Sequence, residues 1–188
     1  NILYERAKKM AEGASMMANV DYELSLISGI YEIIPNRFGA EIIQKNFELL
    51  GEIEYTSDEI SYANTILKET GKELKGIDGE IKPIKPTLPA QGGSTDVGDV
   101  SQVVPVVRMG VTTAAKDGPW HSWAVVACTG MSIGHKGMIY ASKSLAMTML
   151  DFYKNSKLIE GAKKEFTERK GNKVYEPQIP AGPPKLIN

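Results

Sequence analysis

The 188-residue chain has little of what most metal and redox chemistry is built from: one cysteine, two histidines and two tryptophans. The single thiol, Cys128, excludes an internal disulfide framework and fits a reducing compartment. No apolar run approaches the roughly 20 residues of a membrane-spanning helix. No basic-then-apolar leader precedes the first helical pattern, so a cytoplasmic location is expected. Charge of neither sign predominates, since 22 Lys and Arg face 23 Asp and Glu and leave a formal net charge of −1. That balance argues against nucleic acid and against a membrane surface as partner. There is no HxH, no HExxH and no second cysteine, whereas a zinc site takes at least three protein ligands.

What is present is the composition of a globular protein, 42% hydrophobic and 24% charged. From Ile2 to about Asn19 the apolar residues recur at helical spacing. The chain opens at Asn1 already in that pattern and reads as beginning inside a longer protein. "DYELSLISGIYEII" (21–34) reads as one or two strands around Gly29, and Pro35-Asn36 breaks it. Helices are expected over about 37–50 and 57–70. Thr56 with Glu59 forms a capping-box pattern at the start of the second, and Gly71 closes it. Residues 71–93, rich in Gly, Pro and Lys, read as a long surface loop. The runs "QVVPVVRMG" and "SWAVVACTG" read as short strands, the first edged by Pro105. A strong helix is expected over 134–155 and a charged one over about 156–170. The proline-rich end reads as an extended tail. That order of elements predicts an α/β or α+β chain, with a candidate domain boundary near Pro35-Asn36.

Three stretches hold residues that can carry chemistry. His121 lies between Trp120 and Trp123 in "GPWHSWAVVACTG" (118–130), after a polar turn. It reads either as a hydrogen-bonded structural residue or as a working residue at the mouth of a pocket walled by aromatics. Asp96 and Asp99 in "GGSTDVGDVS" (92–101) are three apart beside glycines. They read as turn formers, or as carboxylates that ligate a metal or orient a ligating histidine. In "CTGMSIGHKG" (128–137), Ser132 is a candidate N-cap. The helix start at Gly130–Gly134, with His135, offers free N–H groups to a substrate carboxylate. Lys136 reads more simply as a solvated charge.

"GSTDVGDVS" at 93–101, "HSW" at 121–123 and "SIGHKGMIYASKSLAMTMLDFY" at 132–153 occur in order and at suitable spacing. Together they resemble the C-terminal portion of the aminoacylase/carboxypeptidase-type metallo-amidohydrolases, in particular the aminobenzoyl-glutamate hydrolase branch. The likeness extends more weakly through "AEGASMMANV" and "IPNRF" to cover most of residues 5–155. It implies the C-terminal half of an α/β two-metal catalytic domain plus the end of an inserted α+β lid that mediates dimerisation. Residues 1–36 would then be the end of the lid, 37–175 the returning part of the catalytic domain, and 176–188 a tail.

The resemblance implies that His121 is a metal ligand, and that the other ligands and the general-base glutamate lie in an absent N-terminal half. It implies two Zn2+ ions (or Mn2+ or Co2+) per full-length chain, sharing a water that attacks the amide. Asp96, Asp99, Trp123, Gly130, Ser132, Gly134 and His135 would line the substrate site. The substrate would be a small N-acyl amino acid or dipeptide-like amide, and the protein a homodimer through its lid. The 188 residues alone are expected to be inactive and not to retain metal. The alternative is a non-catalytic relative that binds a ligand or a partner chain.

Overall fold

The structure, a computed structural model, describes residues 2–85, 94–179 and 182–183. Within them lie seven helices: α1 (Ile2–Ala18), α2 (Arg37–Leu50), α3 (Ser57–Glu69), α4 (Val97–Ser101), α5 (Trp123–Thr129), α6 (Ser132–Lys154) and α7 (Ser156–Lys170). No strand occurs among the described residues. The expectation of an α/β chain is therefore wrong, and the described chain is all-helical.

The reasons differ for each run that was read as a strand. "SWAVVACTG" is α5, because a short apolar run carries no period that separates strand from helix. Local chemistry decides it: the Ser122 side chain caps the helix by accepting from the Ala124 N–H at 3.3 Å. Residues 20–36 form no regular element, and side chains of α4 and its flank take the place of a neighbouring strand. The Tyr31 N–H donates to Asp99 Oδ2 (3.2 Å), the Ile34 N–H donates to Ser101 Oγ (2.9 Å), and Gln102 Nε2 donates to the Glu32 carbonyl (2.9 Å). "QVVPVVRMG" begins in the turn that ends α4, where the Val103 and Val104 N–H groups both donate to the Val100 carbonyl. Pro105 then has no N–H to give to a ladder.

Helices α2, α3 and α7 start within a residue of where the sequence reading places them. Asn36 caps α2 by accepting from the Gly39 N–H at 2.8 Å, and its own Nδ2 donates to the Ala162 carbonyl of α7. Thr56 and Glu59 form the full capping box of α3. Asn155 ends α6 and caps α7. The start of α6 differs from expectation, since Met131 is its N-cap residue and Ser132 its first helical residue.

The core is small and sits between α3, α5 and the start of α6. It consists of Ala63, Ile66, Leu67, Ala115, Ala124, Cys128 and Ile133, with Tyr55, Tyr62 and Ile77 packed against it. On its other side α6 packs on α2 and α7. There Asn46 is buried and donates to Thr148 (3.0 Å) and Asp151 (2.9 Å). By contrast, α1 buries none of its residues. At the far end, residues 173–179 run back across the 20–36 segment. Tyr175 donates to Asp99 Oδ1 (2.9 Å), Tyr31 donates to the Glu176 carbonyl (2.9 Å), and the two rings meet edge to face at 5.4 Å. Residues 86–93 of the expected loop, and 180–181 and 184–188 of the expected tail, lie outside the described residues.

Two substitutions separate core from periphery. Leu67 is fully buried, so Leu67→Ala should cost about 2–5 kcal/mol in denaturant unfolding. Leu3 of α1 is exposed, and Leu3→Ala should stay within about 0.5 kcal/mol.

Candidate functional site

The segment that delivers His121 is held from below before it reaches the histidine. The Lys116 N–H donates to the Gly76 carbonyl (2.9 Å), and Tyr55 reaches the Thr112 carbonyl through its hydroxyl (3.4 Å). Lys75 pairs with Asp117 at 2.9 Å, and Asp78 lies between Lys116 and Lys82. The lysine hydrogen bonds hold the Asp117 and Asp78 carboxyls below their ordinary range. Asp117 then turns the chain with φ +59, and the Gly118 N–H returns to the Ala115 carbonyl.

His121 itself has φ +56, in the left-handed region, and its side chain is exposed. Holding a non-glycine residue there costs on the order of 1 kcal/mol. Ser122, directly after it, donates to the Pro119 carbonyl (2.6 Å) and caps α5. The cap and the charged clamp together make His121 the projecting corner between a docked loop and a helix. It is not a packed core residue, and its neighbours Trp120 and Trp123 are exposed as well, at 72% and 55%.

The other expected site residues scatter. Asp99 has both carboxylate oxygens taken, by the Tyr31 N–H and the Tyr175 hydroxyl. Asp96 stands exposed at the start of α4, and the Thr95 hydroxyl donates to it at 3.4 Å. Gly130 ends α5, its N–H donating to the Val126 carbonyl at 3.0 Å. Gly134 is buried where α6 starts against the end of α5, and a Cβ there would strike the Thr129 backbone. Ser132 and His135 do come together, along one wall of a cleft of about 500 Å3 that also takes in Lys136, Lys143, Leu50 and residues 52–54. Trp123 lines neither that cleft nor a second one of about 420 Å3; the second is walled by Trp120, Tyr140, residues 110–117 and residues 78–82.

Lys136 is the clearest departure from the expected solvated charge. Its ammonium donates to Glu59 Oε2 at 2.6 Å and to the Glu54 carbonyl at 2.9 Å. Burial of Glu59 pushes its carboxyl up. Hydrogen bonds from Lys136, from Ser132 and from the Thr56 N–H outweigh that and hold it at about 2, against an ordinary 4.5. The capping box was legible at Glu59. Its long-range partner, 77 residues away, carried no local signal.

Among the described residues, no group of three or more His, Cys, Asp or Glu side chains could hold a metal ion. His121 is one donor where a zinc-type site needs three. The donor set of the described residues does not by itself fit a metal.

Comparison with curated proteins finds one of the subunits of the p-aminobenzoyl-glutamate hydrolase of Escherichia coli (strain K12), 27% identical over 203 aligned residues. The chain is homologous to that hydrolase subunit. The match takes in 95% of this chain, and the chain spans 42% of the relative's length. No family model matches the chain, and no solved structure matches it. No helix among the described residues is long and apolar enough to cross a membrane.

The Glu59 carboxyl sets a pH signature. A carboxyl depressed in the folded state stabilises above its ordinary pKa and loses that contribution as pH falls through the folded value. Thermal stability should therefore fall as the pH drops from 4.5 to about 2, and Glu59→Gln should flatten this dependence relative to the parent chain. Lys136→Met, which strands Glu59, should cost roughly 2–3 kcal/mol. That lies below the ~3–5 kcal/mol of a fully buried pair, because Lys136 is about a third exposed.

Proposed function

We propose that this chain is the part of a metal-dependent amidohydrolase that supplies one metal ligand, His121, to a site completed by residues from elsewhere. The substrate class is an amide of an N-acyl amino acid resembling p-aminobenzoyl-glutamate. The observation that carries the reading is homology to a hydrolase subunit over 95% of the chain, with His121 in a motif that the resemblance assigns to metal binding. The projecting, strained backbone at His121 supports it. A side chain with no packing role, held in a costly conformation by a charged clamp, is better placed to serve a second group than the core.

A divalent ion such as zinc, when bound, would supply Lewis acidity and an activated water. The chain's own contribution is to hold the imidazole outward. The Lys75–Asp117 and Lys116–Asp78 pairs fix the loop, and the Ser122 cap fixes the helix that follows. Ser132 and His135, on the wall of the cleft beside α6, are the residues we assign to the substrate's polar end. Asp96, Trp123, Gly130 and Gly134 remain candidate lining residues. Asp99 reaches substrate on this reading only if Tyr175 releases it. Residues 1–36 serve association of copies, in keeping with the exposed Ile2, Leu3, Met10, Met16 and Met17 of α1. Residues 37–175 carry the site.

The test is hydrolysis of p-aminobenzoyl-glutamate by the protein as its host makes it, with metal content measured on the same sample. Turnover with bound metal is expected, and His121→Ala should lower metal affinity at least about 100-fold, since losing even a ligand's supporting partner costs 10–100-fold. A host product of 20.5 kDa that carries no metal and hydrolyses nothing would overturn the reading and leave a ligand- or partner-binding relative.

A further inference from the structure

Residues 173–179 follow α7 and form no regular element. Among the described residues, no backbone N–H of 174–179 donates to a backbone carbonyl. The segment is held instead through side chains. Tyr175 donates to Asp99 Oδ1, and the Tyr31 hydroxyl donates to the Glu176 carbonyl. Gln178 Nε2 donates to the Tyr31 hydroxyl at 3.0 Å, and Lys173 stands 3.9 Å from Glu32. These contacts converge on Asp99, Tyr31 and Glu32. Most of the segment is exposed, Val174 by 80%, and only Tyr175 and Gln178 are partly buried.

From beneath, the same stretch is fastened a second time. Gly98 of α4 lies so close to the Tyr31 carbonyl that a Cβ there would strike it. Gly98, Ser101 and Gln102 are buried, and Asp99 Oδ2, Ser101 and Gln102 hold residues 31–34 from that side. Residues 173–179 take no part in those bonds. Lifting them therefore strips Asp99 of one hydrogen-bond donor and leaves residues 31–34 docked on α4. A segment with exposed contacts and no backbone ladder opens at well below the free energy of global unfolding. Its seat is nevertheless a fitted one. Gln178 Cβ occupies the space that a side chain at Gly29 would need.

We infer that residues 173–179 are a latch, with Asp99 as its catch, that opens and closes while the helices stay folded. Closed, the latch spends Asp99 Oδ1 on the Tyr175 hydroxyl. Open, it offers that oxygen and the Tyr31 hydroxyl to a ligand, while Asp99 Oδ2 still holds the Tyr31 N–H. The latch rests on the two-sided fastening of residues 29–34. That the freed Asp99 serves the substrate rests on the reading of the site given above.

Trypsin digestion under native conditions tests the latch in the protein as its host makes it, followed by mass spectrometry at the Lys173–Val174 bond. A protease needs an extended chain on both sides of the cut, so the closed latch shields this bond. Cleavage is expected with a denaturant dependence far below that of global unfolding, and the cut protein should keep its helical circular dichroism. Tyr175→Phe should speed the cut about fivefold, the factor that one hydrogen bond sets. Gln178→Ala, which removes a different bond, should speed it as well. Cleavage only with global unfolding, loss of helix on cutting, or rates unchanged in both variants would each overturn the latch.

Hydrolysis of p-aminobenzoyl-glutamate tests what the latch controls. If only the open form offers Asp99 to substrate, Tyr175→Phe should lower KM about threefold and leave kcat in place. Faster cleavage with an unchanged KM overturns the role of Asp99. A parent protein that hydrolyses nothing overturns the reading of the site, and the latch then stands or falls on the cleavage alone.

Discussion

Glu59 is a single carboxylate on which three elements converge. It receives the Thr56 N–H and completes the capping box of α3, it accepts the Lys136 ammonium from α6, and the Ser132 hydroxyl at the first residue of α6 bonds to it as well. Lys136 in turn reaches the Glu54 carbonyl, which ties down the loop between α2 and α3. The starts of α3 and α6 are thereby held at one point, and α5 packs between the two helices with Ala124 and Cys128 inward. A core of so few residues leaves much of the relative placement of helices to this pair. Its polar atoms are satisfied, as they must be where a charge loses water.

The path to His121 depends on the same arrangement. Tyr55, one residue before the capping box, holds the Thr112 carbonyl, and the Gly76 carbonyl holds the Lys116 N–H. The ion pairs around Asp78 and Asp117 fasten the loop after α3 to the segment before His121. What emerges is an arm ending in an exposed imidazole between exposed indoles. A helix and a clamped turn hold it, not a strand end. Asp99, by contrast, is spent on structure, since it joins the 20–36 segment at Tyr31 to the returning chain at Tyr175.

Much of the helical architecture was legible in the residues. The stripe of 2–19, the helices expected over about 37–50 and 57–70 and the Thr56–Glu59 box are local readings, and the helices follow them to within a residue or two. That the runs read as strands would find no neighbouring strand among the described residues was not legible, because a strand is defined by its partner. "DYELSLISGIYEII" has strand composition, yet its backbone groups bond to Asp99, Ser101 and Gln102, residues 67–70 positions away. "SWAVVACTG" has neither a strand nor a helix period, and one serine hydroxyl at its start tips it into a helix. For the candidate site, the motif around His121 was visible and its exposure was not. Lys136 looked like a solvated charge because its partner lies on another helix.

The sequence by itself therefore determined the limits of α1, α2, α3 and α7, the Thr56–Glu59 capping box and the likeness to a hydrolase, all of which depend on neighbours within a few positions or on residue order. The tertiary structure alone decided that residues 31–34 pair with side chains, that Glu59 and Lys136 meet, and that His121, Trp120 and Trp123 face outward. Each of these depends on which distant groups come within hydrogen-bonding or packing distance once the chain is folded, and residue order does not encode that locally.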